Sequence, residues 1–559
     1  MKRALAKGYG APELRADVLA GIVVAVVALP LSMALAIAVG APPQHGLYTA
    51  VVAGAVVALL GGCKFQVSGP TAAFVVILAP IMTKHGLPGL MTATLMAGLV
   101  LVALGAARLG SLIRFIPYPV TTGFTAGIAT VIATLQIKDL LGLRVGTMPE
   151  SYVEKLAALF HARSTVSIQE GGVAAFTFAL LLFVPRVMKR IPAPLVAITL
   201  AAVSAAALHR LVPSFEVATI GTRFHTTVHG VEVAGIPGTA PSFSLPWGSG
   251  LPPLHLVREL MGPAFAIAML GAIESLLSAV IADGMTNTKH DPNAELVALG
   301  IGNIVAPMFG GFAATGALAR TATNVRAGAR SPIAATVHAA VVLLSMLLLA
   351  PLVAYVPMAS LAALLLLVAW NMSEVRHFLR LMRVAPRTDV LVLLTCFILT
   401  VFFDMVVAVS VGFVMAAVLF MKRMSELTGS RITLDASEDA PVKAPKGVLV
   451  YEINGPLFFG AAQNAMATLG TLKSESFSVL VLHLGRVPLI DATGFVALES
   501  AIESVIRMQK HIVLAGPLPE PRRVFDRAQL ESKHPELRLA SSLDEALGIA
   551  AGLVTEPRT

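Results

Sequence analysis

The chain has 559 residues, of which 56% are hydrophobic and only 13% are charged, and its mean hydropathy is +0.81. Soluble proteins carry about a quarter charged residues, so this chain cannot cover itself with a polar surface. The same figures exclude an intrinsically disordered chain, a collagen and a coiled-coil protein. What remains is a polytopic α-helical membrane protein.

The charges are distributed unevenly along the chain. Residues 1–433 carry 29 Lys/Arg and 17 Asp/Glu, whereas residues 434–559 carry 12 and 15. Because the second part is about twice as dense in charge, we predict a transmembrane domain over 1–433 and a soluble domain over 434–559. The net charge of +9 does not indicate nucleic-acid binding, since the basic clusters lack interleaved aromatic residues.

The first 433 residues contain a series of apolar segments, and a helix needs about 20 such residues to cross a bilayer. They predict fourteen spans near 16–39, 46–62, 71–83, 88–107, 118–142, 172–186, 192–211, 262–283, 293–308, 317–325, 331–350, 352–370, 388–404 and 405–422. Clusters of Lys and Arg precede the first span and follow spans 4, 6, 10, 12 and 14. Basic loops face the cytoplasm, so both termini are expected inside and the long segments 143–171 and 212–261 outside.

Two of the spans, 71–83 and 317–325, are too short to cross alone. Gly69 and Pro70 precede the first, and Gly310, Gly311 and Gly316 precede the second. Each is third in its half of seven spans, which is typical of inverted repeats with a binding site at the membrane midplane. Two helix N-termini that face each other would form an anion site. The alternative is that both interruptions are ordinary kinks.

Two charged residues lie at this depth. Arg320 could bind an anionic substrate, ideally a carboxylate, through two parallel hydrogen bonds, or its side chain could reach the cytoplasm beside Arg326 and Arg330. Glu274 lies mid-span among apolar residues and is a candidate to bind and release a proton, or else a structural hydrogen-bonding group. His45 and His338 show no metal-ligand spacing, so no metal site is expected.

The tail alternates strands and helices, which predicts a small α/β domain. Strands are expected at 446–454, 477–484 and 511–514, with helices near 460–472 and 495–508. Asp491 or Thr493 would cap the second helix; alternatively, Asp491 and Thr493 could form a regulatory site at which Thr493 is phosphorylated. No Walker loop or GxGxxG motif occurs, so ATP-driven transport has no support in this chain. We expect neither an enzyme nor a cofactor.

These motifs resemble the SulP family of sulfate permeases, relatives of pendrin and prestin, over nearly the whole chain. The resemblance is carried by GLYT at 46–49, VSGPT at 67–71, RTATNV at 320–325 and GARSP at 328–332. IDATG at 490–494 is similar to a STAS domain. Within the family, the runs 67–78, 268–277, 283–285 with 288–290, and 368–374 are similar to bacterial aerobic C4-dicarboxylate carriers.

The resemblance implies a site between the N-termini of spans 3 and 10. The substrate-binding residues it implies are Ser68, Gly69, Thr71, Ala72, Ala319, Arg320 and Thr321. Glu274 matches a position at which sodium-coupled relatives carry a metal-binding aspartate. Glu274 with Ser278 departs from their Asp-and-Thr pattern, which favours proton coupling.

The resemblance further implies a core (spans 1–4 and 8–11) that moves against a gate (spans 5–7 and 12–14). It also implies a homodimer, and we expect the protein in the bacterial inner membrane. We therefore predict proton-coupled import of succinate, fumarate, malate or aspartate. Two alternatives stay open: transport of sulfate, bicarbonate or chloride on the same scaffold, and a regulatory scaffold whose STAS domain binds cytoplasmic proteins.

Overall fold

The computed structural model describes residues 9–111, 117–146, 148–149, 151–188, 191–228, 231–248, 252–403, 405–427, 429–434, 444–458, 462 and 477–555. These residues form two compact units, one ending at Phe413 and one beginning at Val414. The predicted boundary between 433 and 434 lies further along the chain, and as a functional division it stays a proposal.

The first unit is almost entirely helical. Its first half contains α1 (Ala11–Val39), α2 (Pro43–Leu60), α3 (Val75–Ala106), α4 (Tyr118–Leu140), α5 (Tyr152–His161), α6 (Ile168–Val187) and α7 (Ala193–Leu211). Its second half contains α8 (Leu254–Thr286), α9 (Pro292–Val305), α10 (Leu318–Arg326), α11 (Ile333–Val353), α12 (Met358–Ser373), α13 (Val375–Val384) and α14 (Arg387–Phe402). α15 (Met405–Leu427) crosses the boundary between the units. Strands β2 (His225–Val228) and β3 (Val231–Ala234) form an antiparallel pair between α7 and α8.

Ten helices in the described part of the chain are long and apolar enough to cross a membrane. Their outer surfaces carry large exposed side chains such as Val203 and Leu348, as expected where lipid is the solvent. The chain is therefore a polytopic helical membrane protein. The count of fourteen spans stays a prediction, because α9, α10 and α14 are shorter than the usual spanning length.

α3 covers both predicted span 3 and predicted span 4. Gly86, at φ 64° and ψ −170°, breaks the helical geometry between them. A positive φ is the conformation that glycine adopts without strain. Spans 3 and 4 are thus two helical segments joined at a kink, as the sequence indicated.

The helices pack in two groups. In the first group, α8 and α9 pack on α3, and α11 packs on α1 and α2. In the second group, α12 and α14 pack on α4, and α6 packs on α7 and α12. α13 was predicted as loop, but it is a short helix with no buried residue and with Val375, Leu379 and Met382 exposed. Such amphipathic helices suit the membrane interface.

The elements of the second unit are β5 (Gly429–Leu434), β6 (Val448–Asn454), β7 (Val479–Arg486), α16 (Ala492–Arg507), β8 (His511–Ala515), α17 (Pro519–Arg527), β9 (Leu537–Ala540) and α18 (Leu543–Thr555). The strands form a five-stranded sheet in the order β5-β6-β7-β8-β9, with β5 antiparallel to β6 and the other pairs parallel. The sequence missed β5 and β9 and began α16 three residues late. The predicted helix near 460–472 lies outside the described residues, apart from Ala462.

Alternate strand residues of this sheet form two hydrophobic cores. Leu449 and Leu480 pack with α16 and α17 on one face, and Val448 and Val481 pack with α18 on the other. Side chains of a strand point alternately to the two faces. The unit is therefore an α/β layer with helices on both sides, as the tail predicted.

Candidate functional site

The two predicted half-helices start from a shared pair of short strands. β1 (Ser68–Gly69) and β4 (Thr315–Gly316) are antiparallel, with Ser68 opposite Gly316 and Gly69 opposite Thr315. The backbone of Val67 extends the contact: its carbonyl accepts from Ala317 N at 2.9 Å, and its N–H donates to Thr321 Oγ1 at 3.1 Å. A 3₁₀ turn at 72–74 leads from β1 into α3, and α10 follows β4. The predicted site segments are therefore adjacent.

Arg320 is buried at this crossover, with 1% of its surface exposed. One terminal nitrogen donates a hydrogen bond to the carbonyl of Pro70. Its Nε and Nη1 have no hydrogen-bond partner within the described part of the chain. Burial excludes the alternative in which the side chain reaches the cytoplasmic surface. An unpaired buried N–H group is costly, so the role of Arg320 in binding an anion stays a prediction that these two nitrogens make testable.

Gly69 makes this position of Arg320 possible. A Cβ atom at Gly69 would lie 2.5 Å from Arg320 Nη1 and 3.5 Å from the Cα of Ala50. The first distance is shorter than real Cβ contacts, whereas the second is an ordinary van der Waals contact. Any side chain at residue 69 would therefore push the guanidinium away from the crossover.

α8 supplies polar groups that connect to both half-helices. Thr71 Oγ1 donates to Glu274 Oε2 at 2.8 Å, and Ser278 Oγ donates to Thr321 Oγ1 at 3.0 Å. Glu274 is partly exposed, whereas Ser278 and Thr321 are buried. The predicted coupling residue thus lies in direct contact with a predicted substrate-binding residue.

The remaining predicted site residues differ in their surroundings. Ser68 is buried with its hydroxyl unpaired among the described residues, and Ala72 is buried in the 3₁₀ turn. Ala319 is exposed beside the buried Arg320 on α10. The site combines two helix N-termini, one buried cation and a carboxylate at its edge. Such an arrangement can hold an anion.

Sequence reasoning missed a hydrogen-bonded cluster behind the crossover. Gln66 Nε2 donates to Ser275 Oγ at 2.6 Å and to Glu295 Oε1 at 2.8 Å, and the backbone N–H of Cys63 donates to Glu295 Oε2 at 2.8 Å. Glu295 is fully buried. The available signal was a carboxylate near the start of an apolar span, a residue type that is rare and expensive in the membrane.

Comparison with known proteins identifies the architecture. Residues 14–396 match the model of the sulfate permease family, and residues 439–546 match the STAS domain. The chain belongs to the sulfate permease family. It is an anion transporter of that family with a C-terminal STAS domain, and not an enzyme.

Two relatives match over almost their whole length. The chain is 38% identical to YvdB of Bacillus subtilis, which is provisionally designated a sulfate transporter, over 97% of this chain and 99% of YvdB. It is 30% identical to the bicarbonate transporter BicA of Picosynechococcus, over 96% of this chain and 94% of BicA. The similarity to C4-dicarboxylate carriers is not among these findings and stays a prediction.

Solved structures support the fold. The overall structure of SLC26A9 matches with a TM-score of 0.84 at 18% identity, over 98% of this chain and 92% of that one. The transmembrane domain of a cyanobacterial BicA matches with a TM-score of 0.62 at 29% identity, over 72% of this chain and 98% of that domain. A polytopic helical membrane protein with a C-terminal STAS domain is thus confirmed, and the count of fourteen spans stays a prediction.

In the STAS domain, Asp491 caps α16. Its Oδ1 accepts a hydrogen bond from Gly494 N at 2.6 Å, which satisfies one of the free N–H groups of the first turn. Thr493 is exposed in that turn. The capping role of Asp491 is therefore seen directly, and regulation through Thr493 stays a prediction.

Proposed function

We propose that this transporter carries a small oxyanion through the β1–β4 crossover by alternating access. The observation that carries the proposal is the buried guanidinium of Arg320 at the meeting point of two half-helices. Two of its nitrogens have no hydrogen-bond partner among the residues that the structure describes. A buried cation of this kind is stabilised when an anion binds to it. The core of spans 1–4 and 8–11 would carry the bound anion past the gate of spans 5–7 and 12–14.

Sulfate and bicarbonate are the first candidate substrates, because they are the anions in the names of YvdB and BicA. Chloride is a further candidate, because the alternative predicted from the sequence is transport of sulfate, bicarbonate or chloride. The second candidate is a C4-dicarboxylate, which is favoured by the runs at 67–78 and 268–277. Sulfate, bicarbonate and a carboxylate each present two oxygens that a guanidinium can bind in parallel, so the direct measurement is competition among them.

We propose protons as the coupling ion and Glu274 as the group that carries them. Glu274 is partly exposed and bonded to Thr71 at the anion site, so its charge would respond to the bound anion. Glu274 with Ser278 departs from the Asp-and-Thr pattern of sodium-coupled relatives, which favours protons over sodium. Sodium coupling is the alternative outcome.

The deciding experiment is uptake by the purified full-length protein in proteoliposomes. Labelled sulfate, bicarbonate and succinate are tested under an inward pH gradient, with and without sodium, and in competition with each other and with chloride. Accumulation of one anion above equilibrium supports secondary transport. Uptake that only equilibrates would indicate a channel and contradict the proposal.

Arg320→Ala tests the anion site, with Arg326→Ala as the matched control because Arg326 is an exposed cation on the same helix. We expect Arg320→Ala to lower anion affinity about tenfold or more and Arg326→Ala to leave it near wild type. Normal affinity in Arg320→Ala would remove Arg320 from the site.

We further propose a homodimer in the bacterial inner membrane, with both termini and the STAS domain in the cytoplasm. The STAS domain would bind cytoplasmic proteins as an accessory to transport. Deletion of 434–559 separates this arrangement from the scaffold alternative. Intact transport without the tail favours a carrier with an accessory domain, whereas a tail that alone restores regulation of a partner favours the scaffold.

A further inference from the structure

Two cavities of different character adjoin at the end of α7. A polar cavity of about 1270 Å³ lies among the ends of α4 and α7, the start of α6 and residues 215–223. An apolar groove of about 620 Å³ runs between α7, α1 and α11. Ala206, Arg210 and Tyr355 belong to the walls of both. The two spaces therefore meet at Arg210.

The polar cavity is lined by four cations and three carboxylates, an excess of one positive charge. They are Lys138, Asp139, Arg144, Glu170, Arg210, Glu216 and Arg223. Asp139 is paired with Arg223 at 3.2 Å, and Glu170 accepts from the backbone N–H of Ala218 at 2.5 Å. Within the described part of the chain, three cations (Lys138, Arg144 and Arg210) and two carboxylates (Glu170 and Glu216) of the lining have no ion pair. In the predicted orientation this end of α7 faces outward. Lys and Arg are enriched in cytoplasmic loops, so that enrichment does not account for the cations at this end.

The apolar groove follows α7 for most of its length. It extends from Pro194 to Arg210, which corresponds to ~24 Å of helix rise against a hydrocarbon core of about 30 Å. Its walls include Leu29 of α1 and Met346 of α11, and Val203 beside it on α7 is 61% exposed. The groove is thus an apolar slot at membrane depth that ends at a cluster of cations.

We propose that the groove and the polar cavity together bind one anionic phospholipid. The phosphate lies in the polar cavity against Arg210, Lys138 and Arg144, and one acyl chain lies along α7 in the groove. Arg and phosphate form strong charge-assisted hydrogen bonds, and basic pockets between transmembrane helices bind anionic headgroups. An acyl chain restores the dispersion contacts that the walls of an empty groove lack.

The position of this site has a consequence for transport. The groove separates α7, which belongs to the proposed gate, from α1 and α11, which belong to the proposed core. A bound chain would alter the movement of one against the other, so the lipid changes the rate of transport and leaves the affinity for the anion unchanged. This consequence rests on the proposed function, whereas the binding of the lipid does not.

The test is a titration of the purified full-length protein in detergent with phosphatidylglycerol or phosphatidylcholine, read as the midpoint of thermal unfolding. A ligand that binds only the folded state raises this midpoint. We expect phosphatidylglycerol to raise it more than phosphatidylcholine, and native mass spectrometry to show one retained phosphatidylglycerol. Arg210→Gln should weaken the effect about tenfold.

Two further variants make the result specific. Ala206→Trp fills the junction of the two cavities and should weaken phosphatidylglycerol binding without removing a charge. Arg163→Gln is the control, because Arg163 is an exposed cation that stacks on Phe160 at 4.0 Å and lines neither cavity. It should respond to phosphatidylglycerol as the wild type does.

Three results would overturn the proposal: equal shifts with the two lipids, a wild-type response in Arg210→Gln, or an equal shift with inorganic phosphate. The last would indicate a site for free anions and not for a lipid. Loss of all transport with an intact lipid shift would count against the proposed function alone.

Discussion

The side-chain amide of Gln66 donates to the carboxylate of Glu295 across 2.8 Å, and this contact links the segment before β1 to α9. The same amide reaches Ser275, the neighbour of Glu274 on α8. A Cβ atom at Gly316 would lie 2.3 Å from Gln66 Nε2. The amide therefore fits only because residue 316 of β4 has no side chain. Gln66 thereby connects α8 and α9 to both strands of the crossover.

Glu295→Ala should lower the stability of the membrane unit by about 2–4 kcal/mol, because it removes the acceptor of the buried Cys63 N–H and one of the two acceptors of the Gln66 amide. The measurement is the midpoint of thermal unfolding in detergent. Glu259→Ala is the control, since Glu259 is half-exposed and makes only long contacts, with Lys84 at 3.9 Å and His85 at 3.8 Å. The effects of Gln66→Ala and Glu295→Ala should be less than additive in the double variant; additive effects would contradict a shared bond.

Gly69→Ala should reduce anion uptake about tenfold or more, because the added methyl group would occupy the space of Arg320 Nη1. Gly284→Ala is the matched control, since a Cβ there meets nothing within 4 Å. The readout is the KM for the transported anion in proteoliposomes, compared with the unfolding midpoint. A KM equal to that of the wild type would show that the position of Arg320 at Gly69 is unimportant for binding.

The sequence located the crossover because its signals are local. Glycine, proline and small residues around Gly69 and Gly316 interrupt two apolar segments, and those interruptions survive in the fold as β1 and β4. The orientation of Arg320 is not a local property: whether it reaches the cytoplasm or turns to Pro70 depends on the partner half-helix.

The pairing of Gln66 with Glu295 was equally inaccessible, because 229 positions separate the two residues. The helix α13 and the strand β9 were missed for a different reason. Each is short, and its apolar residues are interleaved with charges such as Arg380 and Arg538, so neither produced a long apolar run.

Glu274→Gln should abolish accumulation driven by a pH gradient while anion exchange across the membrane continues. The amide keeps the size of the side chain and can still accept a hydrogen bond from Thr71, but it cannot bind and release a proton. Thr71→Val is the companion variant that removes the hydroxyl and keeps the carboxylate. Undiminished accumulation in Glu274→Gln would exclude this residue as the proton carrier.

Asp491→Ala should destabilise the first turn of α16 by about 1 kcal/mol, because it removes the acceptor of the Gly494 N–H group. Hydrogen exchange of the full-length protein would show this as faster exchange near Gly494. Asp544→Ala is the control, since Asp544 is an exposed carboxylate in the first turn of α18. Equal exchange in Asp491→Ala and the wild type would show that the cap contributes nothing.

Tyr9 links stability to alkaline pH. Burial and a hydrogen bond of 2.7 Å to Asp17 raise the pKa of the Tyr9 phenol from 10.0 to about 12. Because the folded protein holds this proton more tightly than the unfolded chain, the stabilisation is complete below pH 10 and is lost as the pH rises to about 12. Tyr9→Phe removes the titrating group, so the difference in unfolding midpoint between the wild type and Tyr9→Phe should shrink over that interval. A difference that is constant with pH would show that the phenol is not held by Asp17.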